Sequence, residues 1–149
     1  MRRVLAPVLV AGLLVATLPG VASAAGTNYI RIGPSGWSGA TQTVDAVAGW
    51  GADAWTFSQQ GQPVTLVVTV QDCCVVGDNF VVYLDGKAIG VTPPVPYHGE
   101  TGSSGTFTVK VRPAPNHVVT IQDVGGVTYN NVYHNMLPAG YSVSISYSY

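Results

Sequence analysis

The strongest signal along the chain is a period of two in the placement of apolar residues. In VTLVVTV (64–70), Val64, Leu66, Val68 and Val70 share one face, and in NFVVYLD (79–85) Phe80, Val82 and Leu84 do the same. In TFTVKVR (106–112), Phe107, Val109 and Val111 alternate with Thr106, Thr108, Lys110 and Arg112. The stretch YSVSISYSY (141–149) alternates most cleanly: Tyr141, Val143, Ile145, Tyr147 and Tyr149 lie on one side, and four serines lie on the other. One apolar and one polar face marks antiparallel strands with one side wet. Weaker strands are predicted at 28–32, 54–58, 88–92 and 117–123, and no run of ten residues carries a 3.6-residue apolar period. Leu84-Asp85-Gly86-Lys87 predicts a hairpin, because Asp-Gly accepts the positive φ angles of a type I′ turn. About eight strands at short spacing predict an all-β fold: a two-sheet antiparallel sandwich, jelly-roll-like.

Three segments read as long loops: 33–53, 93–105 and 125–140. Long loops on a rigid sheet are where binding usually sits. Upstream of the strands, Arg2 and Arg3 precede an apolar run from Val4 to about Leu18, and Ala22-Ser23-Ala24 follows. This predicts a signal peptide at 1–24, cleavage before Ala25, a single domain at 25–149 and secretion by the general route. The apolar run is short and interrupted by Pro7 and Pro19, which argues against a membrane anchor.

The leader takes two of the six Lys and Arg residues, leaving four against seven Asp and Glu, a formal charge of −3. Arg31, Lys87, Lys110 and Arg112 are scattered, so nucleic-acid binding and attraction to anionic lipid are disfavoured.

The segment LVVTVQDCCVVGDNFVVYLDGKAIG (66–90) resembles a group of exported β-sandwich proteins of bacteria and fungi, mostly uncharacterised. They share a strand ending in Val-x-Asp, then Gly-Asp-x-Phe, then a hairpin with Gly-x-x-Leu-Gly. Val70, Asp72, Gly77, Asp78, Phe80, Gly86, Ile89 and Gly90 fall on that pattern, and His117 to Ile121 resembles a later strand. The resemblance implies a jelly-roll-like sandwich and export, and no established activity.

Candidate chemistry is sparse. Cys73 and Cys74 are the only cysteines and are neighbours. Adjacent Cα atoms lie about 3.8 Å apart, below the usual disulfide window, so a ring between them needs a distorted turn. In an oxidising compartment three states are open: a vicinal disulfide, one buried thiol with one intermolecular bridge, or two buried thiols. The expectation is a structural link, because no Cys-x-x-Cys helix start is present to activate a thiol.

Asp72 closes one predicted strand and Asp78 opens the next. Such carboxylates can converge on calcium with backbone carbonyls, Asp53 or Glu100 joining, or can accept loop N–H groups. His98, His117 and His134 are too far apart for a local zinc signature. No Gly-x-Ser-x-Gly is present, and Glu100 is the only glutamate.

Aromatics in the predicted loops offer a lead. Trp37 and Trp50 lie thirteen residues apart in one, and Tyr97, Tyr129 and Tyr133 lie in the others. Side by side, Trp37 and Trp50 would stack on sugar faces, with Asp45 or Asp53 accepting hydroxyl hydrogens. Alternatively, the tryptophans cap the core. The reading is a secreted, non-catalytic recognition domain with a carbohydrate ligand. A self-associating surface protein is the alternative, since the uncharged Ser-Tyr strand would invite pairing if it lay at a sheet edge. A secreted hydrolase is the third.

Overall fold

The computed structural model describes residues 28–43, 49–73, 77–94, 102–125, 127–129, 132–134 and 139–149, with only the backbone course for 127–129 and 132–134. The leader and the cleavage point before Ala25 lie outside them.

The described residues form strands and no helix. The strands are β1 (Asn28–Arg31), β2 (Trp37–Gln42), β3 (Asp53–Gln59), β4 (Val64–Cys73), β5 (Asn79–Leu84), β6 (Lys87–Val91), β7 (Ser104–Val111), β8 (Ala114–Gly125), β9 (Val127–Tyr129), β10 (Val132–His134) and β11 (Gly140–Ser148). A five-stranded sheet runs β1-β3-β8-β5-β6 and a four-stranded sheet runs β2-β11-β4-β7, with β9 and β10 as a separate hairpin. Every pairing is antiparallel except β1 with β3.

The period-two faces become the interior. Val64, Leu66, Val68 and Val70 of β4, with Val143 and Ile145 of β11, meet Phe80 and Val82 of β5 and Val119 and Ile121 of β8 in one cluster. Three ring pairs join the sheets: Phe80–Tyr141 at 4.8 Å, Trp37–Trp55 at 5.2 Å and Phe57–Tyr147 at 5.4 Å between centroids. Such pairs add roughly 0.5–1.5 kcal/mol each beyond the area they bury.

The predicted hairpin is present. Asp85 has φ 51° and Gly86 has φ 77°, the two positive angles that a type I′ turn needs. Asp85 Oδ1 accepts the Val118 N–H at 2.8 Å, and Oδ2 pairs with His117 Nδ1 at 2.7 Å. The turn is thus fastened to the neighbouring strand β8.

Four expectations are corrected. The segment 33–53 is not one loop, because it contains β2. The inward residues of β2 are Trp37, Gly39 and Thr41, which break the apolar alternation; the Trp37 ring lies over Gly39, where an added Cβ would stand 2.8 Å from it. The segment 125–140 contains β9 and β10. The short β1 joins its sheet parallel rather than antiparallel. And the Ser-Tyr strand β11 is not an edge: β2 pairs with it on one side and β4 on the other, so its backbone groups are already used.

Candidate functional site

The outer faces of the two sheets differ in chemistry. On the four-stranded sheet the outward residues of β11 are Ser142, Ser144, Ser146 and Ser148, opposite Gln71, Thr69, Val67 and Thr65 of β4. Beyond β4, the outward residues of β7 are Ser104, Thr106, Thr108 and Lys110. This is an ordinary wet face, and Thr69 and Thr106 bond across it at 3.0 Å.

The five-stranded sheet turns rings and aliphatic side chains outward. Across the strands Thr120, Tyr83 and Ala88 form one row, with Tyr29 beside the buried Ala54 at the far edge, and Trp50, Gln122, Val81 and Val91 form the next. Tyr29 is 68% exposed and Val91 is 55% exposed. The Trp50 and Tyr83 rings lie 5.3 Å apart and inclined by 46°, both partly exposed. Tyr83 Oη donates to Gln122 Oε1 at 2.9 Å, which fixes the phenol from below. Trp50 reaches this face because its backbone bridges to Gln122, extending the sheet past the start of β3.

Trp37 and Trp50 therefore do not stand side by side. Trp37 turns inward onto Trp55 and packs against the core, while Trp50 lies on the outside of the other sheet. For Trp37 the core-capping alternative is the one realised. Asp53 accepts from Asn28 Nδ2 at 3.3 Å. Of the other proposed ligand residues, Tyr97 and Asp45 lie outside the described residues, and Tyr129 lies on β9, whose side chains also lie outside them. Tyr83, Tyr29 and Gln122 were missed because period two marks them only as the outward positions of their strands.

A second feature lies at one end of the sandwich. Asp72 and Asp123 occupy the next inward positions after Val70 and Ile121, at the ends of β4 and β8. With Asp78 they form a buried acidic cluster, 4%, 3% and 4% exposed respectively. Asp72 Oδ2 accepts the N–H groups of Gly77 at 3.1 Å and Asp78 at 3.4 Å. Asp123 Oδ1 accepts the Gly125 N–H at 3.2 Å. Their second oxygens, Asp72 Oδ1 and Asp123 Oδ2, are buried and meet no donor among the described residues.

Burial raises all three carboxyls above the ordinary range. For Asp78, burial and then the charges of Asp123 and Asp72 push it up to about 7. For Asp72 and Asp123, burial is opposed by the backbone amides they accept. Among the described residues no three His, Cys, Asp or Glu side chains converge into a ready-made metal centre. The expected pair Asp72 and Asp78 is brought together, and Asp123 is added to it. A carboxylate continuing a buried alternation, as Asp123 continues His117, Val119 and Ile121, was the sequence signal that could have found it.

His117 pairs with Asp85 as an acid–base couple would. However, its Nε2 faces the Arg112 carbonyl at 3.0 Å and the residue is 5% exposed, so neither nitrogen is open to a substrate. Its work is structural. Cys73 ends β4, half-buried and opposite Gly140, but Cys74, and with it the question of a Cys73–Cys74 link, lies outside the described residues. So do His98 and Glu100.

No protein-family model matches the chain, and no curated protein matches it. Three solved structures are similar to it at low identity. The pre-peptidase C-terminal domain of a collagenase from Bacillus anthracis is 12% identical, with a TM-score of 0.43 over 80% of this chain and 94% of that one. PliG of Aeromonas hydrophila, a periplasmic inhibitor of g-type lysozyme, is 11% identical, with a TM-score of 0.40 over 82% and 97%. A β-glucosidase from Paenibacillus barengoltzii is 12% identical, with a TM-score of 0.36 over 80% of this chain and 11% of that one. Likenesses this weak say nothing of a ligand or an activity here.

Proposed function

We propose that the protein is a secreted, non-catalytic recognition domain that binds carbohydrate on the outer face of its five-stranded sheet. The observation that carries the reading is the Trp50–Tyr83 pair, partly exposed, with Tyr83 held by Gln122, on a sheet surface that also carries Tyr29, Val81 and Val91. Aromatic rings at a water boundary offer apolar area to the C–H face of a sugar and leave its hydroxyls to polar neighbours. Gln122, Thr120 and Thr56 supply such neighbours on the same face. Secretion rests on the leader pattern at 1–24.

The 46° inclination of the two rings favours one class of glycan. Rings that do not share a plane cannot both lie flat on a crystalline polysaccharide surface. They suit a soluble chain whose successive sugars are rotated against each other. The edge-pairing argument for self-association does not extend to β11, which is paired on both sides.

Affinity electrophoresis in gels containing soluble polysaccharides tests the proposal. Retardation by at least one of them is expected. Trp50→Ala and Tyr83→Ala should each abolish it while melting changes little, because both rings stand outside the core. Trp37→Ala should instead cost about 3 kcal/mol, the low end for truncating a packed aromatic, and leave the residual folded protein retarded. Absence of retardation on every glycan tested, or retardation that survives both substitutions, overturns the proposal.

A further inference from the structure

We propose that Asp72 and Asp123 hold a divalent cation of calcium's size at the end of the sandwich beside Asp78, a role apart from glycan binding on the sheet face. The inference rests on two oxygens. Asp72 and Asp123 each commit one carboxylate oxygen to backbone amides and bury the other with no hydrogen-bond donor among the described residues. A buried carboxylate oxygen with neither donor nor counter-charge is strongly unfavourable, and a native fold normally supplies one or the other. Among the described residues the one ion pair is His117 with Asp85, so no Lys or Arg supplies it. A third buried carboxyl belongs to Asp78, whose own N–H is bound by Asp72 Oδ2.

The donor set decides the metal class. It offers oxygen only, which favours calcium or magnesium over zinc. Three side chains do not close on one point. Magnesium demands a near-ideal octahedron at about 2.0–2.1 Å, whereas calcium takes six to eight oxygens at about 2.3–2.6 Å in irregular shells. Backbone carbonyls and water can complete such a shell around two carboxylates. The loop after β4, where Gly77 and Asp78 follow Asp72, is then fastened to the end of β8 through the ion.

Calorimetric titration of calcium chloride into the whole exported protein, stripped with EDTA, tests this directly. One ion per chain is expected. Melting should rise by about 5–10 °C at calcium a hundredfold above its dissociation constant, with a smaller rise in magnesium. Asp72→Asn and Asp123→Asn should each weaken binding at least tenfold, whereas Asp53→Asn should not. Terbium gives a measurement free of variants, since Tyr141 stands directly opposite Asp72 in the β11–β4 pairing and should sensitise its emission, reversed by calcium. No heat and no melting shift overturns the proposal. So does binding that survives both substitutions, or terbium bound without sensitised emission.

Discussion

At the scale of single residues, burial shifts the titration of Asp78 well above the ordinary carboxylate range. Its carboxyl is raised to about 7 in the fold from 3.8, so between those values the folded state holds a proton that the unfolded state has lost. Folding stability of the cation-free protein should therefore be highest near pH 4 and fall as pH rises through 7. The loss from Asp78 alone is on the order of 4 kcal/mol. Asp72 and Asp123, raised in the same direction, steepen the slope. Denaturant melts in EDTA at pH 4.5 and 7.5 check the sign, and Asp78→Asn should flatten the dependence and stabilise the protein at pH 7.5. A protein that gains stability as pH rises across this range would show that these carboxyls are solvated instead. The three aspartates also show why part of this site was legible and part was not. Asp72 and Asp78 stand beside a visible strand break, so their meeting could be read from the chain. Asp123 lies 45 residues beyond Asp78, and only the pairing of β5 with β8 brings them together.

At the scale of elements, the β5–β6 hairpin is fixed by more than its turn type. Asp85 lies at φ 51° and binds β8 through both carboxylate oxygens, while the His117 ring packs 5.0 Å from Phe57. Asp85→Ala and His117→Ala should each destabilise by about 1–3 kcal/mol, since each leaves the other partner buried or half-buried without its bond. The double variant should cost less than the sum, with a coupling of about 0.5–3 kcal/mol from urea melts. Strict additivity would mean that the two residues act independently. Elements whose inward residues alternate as an apolar run, such as β11 and β4 up to Val70, could be drawn from sequence nearly to their ends. Strand β2 could not, because a tryptophan covering a glycine satisfies the interior without any period-two signature. Placement of β11 was equally hidden: alternation tells which face is buried, but not which strands lie on either side.

At the scale of the whole molecule, the position of β11 sets the order in which the fold can be assembled. Residues 140–148 fill the slot between β2 and β4, two strands that do not pair with each other. As the chain is delivered from its N-terminal end, β2 and β4 wait for a strand supplied about 70 residues after β4, with the loop-closure entropy unpaid until then. Folding is therefore all-or-none with respect to this segment, and slow for the chain's size because its pairings are mostly remote in sequence. A variant ending at residue 139 should be unfolded by far-ultraviolet dichroism, and a synthetic peptide of 140–149 added in trans should restore β structure. A truncated chain that melts cooperatively would refute this order. The same timing holds on the ribosome: while residues 140–148 are still inside the exit tunnel, the emerging chain cannot close its second sheet, and its unpaired β2 and β4 edges stay open to any chain nearby.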